Sequence, residues 1–175
     1  PMKKLIVIIV LVLAPIVTQA QSFSKYADMK GVSSMVMTNE MFKLLADIDF
    51  ESEDPEVKRY IQLIENLEDI KVLSTNDVSI SGEMEQDVKS FLASSSMSKL
   101  MSFKDDGKEV NFYSKPGSKK GSVSQLFMFL NGKEDGKPMT VIMSITGDID
   151  LKEVSKLAKD LEVPGADQLE KVEEK

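Results

Sequence analysis

The chain has 175 residues, with 22 basic and 29 acidic side chains, a net charge of −7, and neither histidine nor cysteine. Without those two residue types it has no disulfide, no dithiol redox centre, no His/Cys zinc site and no Ser-His-Asp or Cys-His catalytic group. The acidic balance argues against nucleic acid and against anionic lipid as partners held through bulk charge.

The first twenty residues have the order of features found in a cleavable secretory signal. Two lysines at positions 3 and 4 precede an apolar run over residues 5–17, and Thr-Gln-Ala at 18–20 has the small-x-small pattern of a cleavage site. The run is shorter than the roughly 20 residues that a membrane-spanning helix needs. We therefore expect cleavage before Gln21, giving a periplasmic or secreted protein without an integral membrane anchor. The alternative is an uncleaved N-terminal anchor.

The next third of the chain predicts two strands with two helices between them. Residues 32–37 are β-branched and apolar, which is typical of a strand, and a short helix follows from Thr38 or Asn39. Asp54 and Pro55 predict a helix start, and apolar residues from Val57 onward recur at helical spacing. Residues 70–74 then predict a second strand.

The second half predicts a helix, four strands and a final helix. Met84, Val88 and Phe91 share one face of the first of these helices. Four strand-like runs follow, at residues 99–103, 109–114, 123–130 and 139–146. Three linkers rich in Gly, Pro, Asn and Asp join them, which favours an antiparallel meander. Asp150 is the predicted N-cap of the final helix.

The order of elements predicts an α+β fold. We expect a two-layer sandwich, a mostly antiparallel sheet with amphipathic helices on one face. The predicted organisation is a signal peptide at 1–20, a single domain at 21–162 and a charged tail at 163–175. The strand order does not follow from the sequence pattern.

Two segments resemble motifs of a known family. They are residues 31–38, Gly-Val-Ser-Ser-Met-Val-Met-Thr, with Met41, and residues 145–151, Ile-Thr-Gly-Asp-Ile-Asp-Leu, with Leu157. Both are similar to segments of the exported bacterial domain-of-unknown-function family numbered 4252. The resemblance covers about residues 22–162 and implies export from a Gram-negative cell and one compact domain. It implies no catalytic residue, and this chain lacks the lipidated cysteine of the lipoprotein members.

Two acidic features are candidate cation or catalytic sites. Residues 47–56 contain six acidic and no basic side chains, but an EF-hand loop beginning at Asp47 would have Ser52 where glycine is needed and Lys58 where glutamate is needed. A solvated acidic loop is the simpler interpretation, although calcium binding stays open. Asp148 and Asp150 form a second carboxylate pair, which a turn and a helix cap explain. We therefore predict neither a metal nor a cofactor.

Methionine and lysine provide two further candidates. Met35 and Met37 would place two thioethers on one face of a strand, a soft ligand pair that suits Cu(I). Core packing is the favoured interpretation of the methionines, ahead of a peptide-binding surface and of a metal site. Lys115, Lys119 and Lys120 lie in one linker. They could hold a phosphate or an acidic partner, or simply form a solvated loop.

The strongest candidate for a binding surface is the strand at residues 123–130. From Leu126 onward it is apolar on both sides, with Phe127 and Phe129 pointing one way and Leu126 and Met128 the other. We predict that one face of this strand, together with Met143 on the next strand, is partly exposed and binds a partner.

The sequence therefore favours a non-catalytic binding module for a protein, peptide or small ligand. Its partner would be an envelope protein or peptide, or a second copy in a homo-oligomer. The alternatives are a carboxylate-dependent hydrolase or transferase, and a structural partner in an envelope complex.

Overall fold

The computed structural model describes residues 23–47, 54–105 and 107–154. The predicted signal at 1–20, residues 48–53 of the acidic stretch and the predicted tail at 163–175 lie outside the described residues. The boundaries predicted at residues 20 and 162 therefore stay predictions.

Six strands and four helices make up the described fold. The strands are β1 (Val32–Thr38), β2 (Leu67–Thr75), β3 (Ser98–Asp105), β4 (Lys108–Pro116), β5 (Ser122–Glu134) and β6 (Lys137–Asp150). The helices are α1 (Asn39–Asp47), α2 (Pro55–Glu65), α3 (Val78–Ser94) and α4, of which residues 151–154 are described. A short 3-10 turn at Ser24–Tyr26 precedes β1. The predicted α+β class is confirmed.

The strands form one antiparallel sheet in the order β1-β2-β6-β5-β4-β3. The predicted meander from β3 to β6 is therefore correct. The last hairpin is tighter than the sequence indicates, because only Asp135 and Gly136, with φ of 51° and 76°, form its turn. Positive φ at both central residues matches the twist of the flanking strands, so β5 and β6 extend into the predicted linker.

The larger apolar cluster lies between the sheet and α3. Phe127 in β5 is fully buried there, and its ring lies 5.1 Å from that of Phe91 and 5.7 Å from that of Phe23. Asp77 caps α3 by accepting hydrogen bonds from the amides of Ser79 and Ile80 at 2.9 and 3.0 Å. The helix therefore begins at Val78.

A second apolar cluster lies on the opposite face of the sheet. Leu126, next to Phe127 in β5, packs there with Val123 and Ile149, and Leu151 and Val154 of α4 contact this cluster. Helices therefore contact both faces, and the prediction that they cover one face only is corrected. The reason is the strand itself, since β5 is apolar on both sides and both sides need cover.

Gly147 explains part of the 145–151 motif. It has a φ of 142°, and an added Cβ would overlap the carbonyl oxygen of Asn66 and approach Leu67 Cα to 2.9 Å. The same carbonyl accepts a hydrogen bond from the amide of Asp148 at 3.0 Å. The glycine is therefore required where the chain entering β2 crosses close to β6.

Candidate functional site

The five residues predicted to bind a partner fall into two groups. Phe127 and Phe129 are buried on the α3 face, with 0% and 9% of their surfaces exposed. Leu126, Met128 and Met143 lie on the other face, where Leu126 is buried and the two methionines are half-buried. The five therefore do not form one surface, and a binding role for them stays a prediction.

Met128 and Met143 belong to an apolar row that crosses the whole sheet. Residues directly opposite one another in neighbouring strands form this row, which we call the methionine row: Met101, Phe112, Met128, Met143, Val72 and Met35. Met35, at the β1 end, is 49% exposed, and the other five are half-buried. The exposure of the row is therefore greatest at the β1 edge.

A concave surface among the described residues lies near the β3 end of the sheet. It is a groove of about 800 Å³ between the second half of α3 and strands β3, β4 and β5. Pockets for drug-sized ligands have volumes of about 300–1,000 Å³. The groove has an apolar floor formed by Val88, Leu92, Tyr113 and Phe129. Of the five predicted site residues, only Phe129 lines it.

The rim of the groove is mainly basic. Five lysines line it, which are Lys89, Lys99, Lys104, Lys108 and Lys133, against the two glutamates Glu85 and Glu109. The whole chain has a net charge of −7. A concave site that gathers charge of the opposite sign concentrates its counter-ions. The groove is therefore electrostatically suited to an anion although the protein as a whole is acidic.

A buried asparagine organises one wall of the groove. Asn111, 7% exposed, accepts a hydrogen bond from Lys99 Nζ at 2.9 Å and donates one to Glu109 Oε1 at 3.1 Å. Lys104 Nζ lies 3.1 Å from the other oxygen of Glu109. Hydrogen bonding from Asn111 first, and then from Lys104, lowers the pKa of Glu109. Lys99 Nζ also lies 5.5 Å from the ring centre of Tyr113, so a cation is held above the apolar floor.

The opposite wall is built from α3 and β5. Glu85 accepts hydrogen bonds from Lys89 Nζ at 2.7 Å and from Asn131 Nδ2 at 3.1 Å. Beside them, Lys108 Nζ donates to Glu134 at 2.7 Å. Exposed pairs of this kind contribute about 0–1 kcal/mol each. The lysines can therefore exchange a glutamate for a ligand anion at small cost.

The sequence does not predict this groove. Its lysines come from α3, β3, β4 and β5, and each one by itself is indistinguishable from a solvated lysine. Lys99 and Lys104 are five residues apart in β3, so regular alternation would place them on opposite faces, and the register shift between Lys99 and Met101 lets both line the groove. The predicted lysine loop lies elsewhere, where Lys119 pairs with Asp148 at 3.2 Å.

The predicted carboxylate pair has structural partners. Asp150 accepts a hydrogen bond from the Lys152 amide at 2.9 Å, as an N-cap does, and hydrogen bonds from Lys119 and then Ser122 lower the pKa of Asp148. Both line a small cavity of about 250 Å³ with Arg59 and Glu153. Within residues 23–47, 54–105 and 107–154, no three acidic side chains are grouped so that they could hold a metal ion.

Among these same described residues, no helix has the length and apolar character needed to cross a bilayer.

No curated protein matches the sequence. A solved structure with some likeness is the Ran-binding protein Mog1p of Saccharomyces cerevisiae, at 12% identity over 84% of this chain and 76% of that chain, with a TM-score of 0.34. The sequence of this chain matches the domain of unknown function DUF4252 over residues 26–157, so the chain belongs to that family.

Proposed function

We propose that this chain is an exported, non-catalytic binding module, and that its groove takes an anionic ligand with an apolar portion. The observation that carries the proposal is the combination of a lysine rim and an apolar floor. The lysines supply the charge for a carboxylate, sulfonate or phosphate ester. Tyr113 and Phe129 supply the surface for an alkyl or aromatic group.

The position of Lys99 supports the choice of an anion. Its ammonium group donates to the neutral amide oxygen of Asn111 and lies over the ring of Tyr113, and among the described side chains no carboxylate is found within hydrogen-bond distance of it. A ligand anion that approaches Lys99 therefore gains a charge-assisted hydrogen bond.

A non-catalytic role is supported by the chemistry of the groove acids. A general acid that works near neutral pH needs a raised pKa, whereas hydrogen bonds lower the pKa of Glu109. The sequence also supplies no histidine or cysteine for the groove to use. The groove is thus better suited to holding an anion than to transferring a proton.

Calorimetric titration with decanoate tests the groove directly. Decanoate joins a carboxylate to an apolar chain, and decyltrimethylammonium is its control with the same chain and the opposite charge. We expect decanoate to bind and the cation not to bind. Lys99→Gln should weaken decanoate binding about tenfold, the effect of losing one charged contact. Lys120→Gln, in the β4–β5 loop outside the groove, is the matched control and should have no effect. Equal binding of both amphiphiles, or of neither, would contradict the proposal.

Export is tested separately by sequencing the N-terminus of the protein recovered from cells. We expect the mature chain to begin at Gln21, because residues 18–20 have the signal-peptidase pattern. A chain that retains Lys3 and Lys4 would contradict export by cleavage and would leave the groove proposal untouched.

A further inference from the structure

The register of β3, β4 and β5 gives the groove two ends. Tyr113, Asn111 and Glu109 alternate along β4, and all three line the groove. In the pairing of β4 with β3, Lys99 is opposite Tyr113 and Lys104 is opposite Glu109. One groove lysine therefore lies at what we call the Tyr113 end, and another lies at the Glu109 end.

The other three groove lysines also belong to the Glu109 end. Lys108 directly precedes Glu109 in β4. Asn131 pairs with Glu109, and Lys133 lies two residues beyond Asn131 in β5. Lys89 of α3 is connected to Asn131 through the carboxylate of the α3 wall described above. The five lysines are therefore divided into one at the Tyr113 end and four at the Glu109 end.

Both ends of the groove carry a positive balance among these residues. At the Tyr113 end, Lys99 donates to a neutral amide oxygen, that of Asn111. At the Glu109 end, four lysines face the three glutamates that line the groove or pair with its lysines, which are Glu85, Glu109 and Glu134. Exposed pairs of this kind contribute little to stability, so a ligand anion can take a lysine from them.

An apolar floor separates the two ends. Phe129 pairs with Asn111, midway between Tyr113 and Glu109, and Val88 and Leu92 of α3 line the groove with it. The two ends are four residues apart along β4, or about 13 Å, which is the length of an extended chain of about ten carbons. A ligand with a single charged group would therefore leave one positive end of the groove without an anion.

We propose that the ligand of the groove is a dianion whose two negative groups are joined by an apolar chain, as in a medium-chain α,ω-dicarboxylate. The inference rests on the anion-binding function proposed above and specifies its ligand. One carboxylate binds Lys99, the chain covers Phe129, and the second carboxylate binds the lysines at the Glu109 end.

Calorimetric titration with decanedioate tests the second anion position, because decanedioate is decanoate with a carboxylate at each end. If only Lys99 bound an anion, decanedioate would bind more weakly than decanoate, since its second charged group would lie against apolar surface. With two positive ends we expect decanedioate to bind about fivefold more tightly, less than a full charged contact because a glutamate must first release its lysine. ω-Hydroxydecanoate, which is polar but uncharged at its far end, is the control and should bind no more tightly than decanoate.

A lysine substitution locates the second carboxylate. Lys104→Gln leaves three lysines against three glutamates at the Glu109 end, so this end no longer has a positive balance. It should remove the advantage of decanedioate and leave decanoate affinity nearly unchanged, whereas Lys120→Gln, outside the groove, should preserve that advantage. The Lys104 side chain is 75% exposed, so the variant should fold normally. Decanedioate that binds no better than decanoate, or an advantage that survives Lys104→Gln, would overturn the inference while decanoate binding still supports the proposed function. If neither ligand binds, both proposals are wrong.

Discussion

The strands β1 and β3 close the two ends of one sheet but differ in charge and regularity. β3 carries Lys99 and Lys104, and its pairing with β4 shifts register between Lys99 and Met101. β1 is uncharged, and its pairing with β2 is uninterrupted. Charges and bulges keep an edge strand from pairing with other chains. The β3 edge is therefore protected and borders a basic groove, whereas β1 has neither charged residues nor a bulge to protect it.

This difference shows that the net charge of the chain is a poor guide to what each of its surfaces can bind. The overall charge of −7 argues against anions, yet the groove beside β3 gathers five lysines. At the other end of the sheet, β1 has no charged residue. The charges close to a site determine what it binds, because exposed charges farther apart than about 8–10 Å are largely screened at physiological salt.

The largest loss of stability should come from a substitution in the core, which lies between the two edges of the sheet. Phe127→Lys places an unpaired charge in a fully buried site, and the loss of the ring alone costs about 3–5 kcal/mol. We expect this variant not to fold. Met128→Lys, the adjacent half-buried residue on the other face, is the control and should melt cooperatively. Thermal melting distinguishes them, and equal unfolding of both variants would show that both faces are closed at β5.

Gly147→Ala should have the next largest effect, and mainly on the β1 side. The added methyl group meets Asn66 and Leu67 at the start of β2, the strand that pairs with β1. We expect a loss of about 3 kcal/mol in urea unfolding. Gly136→Ala also has a positive φ, 76°, but nothing lies near its added Cβ, and it should cost only about 1 kcal/mol. Similar losses for the two variants would show that backbone conformation alone matters.

Removing a helix cap should have a smaller effect on either side. Asp77→Ala and Asp150→Ala each remove a carboxylate that accepts hydrogen bonds from first-turn amides. Each should cost about 0.5–2 kcal/mol without changing decanoate affinity. Asp77→Asn keeps an acceptor oxygen and should cost only a few tenths of a kcal/mol. An Asp150→Ala protein of normal stability that no longer binds its partner would make this aspartate functional.

The smallest effect should be a dependence of stability on alkaline pH, caused by Tyr26 in the segment that precedes β1. Burial first, and then the hydrogen bond to Asp87 at 2.8 Å, raise the pKa of Tyr26 to about 12. The unfolded chain releases the same proton near pH 10. Between about pH 10 and pH 12 the unfolded state binds fewer protons than the folded state, so stability is complete below this window and falls as pH rises through it.

Tyr26→Phe removes the titrating proton. Urea unfolding at several pH values should therefore show a shallower alkaline loss of stability than in the unmodified protein. The comparison concerns the slope, since the variant also loses a hydrogen bond at neutral pH. Parallel slopes would show that Tyr26 does not control the alkaline transition.

Turn residues in the sequence predicted the β3–β6 meander, whereas nothing in the sequence indicated which strands pair across long stretches of chain. Asp105 to Lys108 and the Gly-rich linkers specify hairpins because the turn chemistry lies within a few residues. The pairing of β2 with β6 joins residues 65 to 80 positions apart, such as Val72 and Met143, and the apolar pattern of a strand does not specify which strand pairs with it. Helices on both faces were missed because the cover for Leu126 comes from Leu151 and Val154, beyond the sheet.

The uncharged strand β1 and the groove differ in how far the sequence reveals them. The uncharged run of β1 can be read directly in residues 32–38. The groove requires Lys89 of α3 to lie beside Lys99 of β3 and Lys133 of β5, and that arrangement exists only once α3 crosses the sheet. The sequence does not predict the burial of Asn111 either, because there it is simply a polar residue that alternates with Val110 and Phe112.

Backbone amide NMR of the unmodified protein tests most directly whether an anionic ligand binds in the groove. Added decanoate should shift amides around Lys99, Asn111 and Asn131 and leave those of β1 unchanged. Decanoate shifts centred on β1, or the absence of shifts around Lys99, would contradict the assignment of the groove to an anionic ligand.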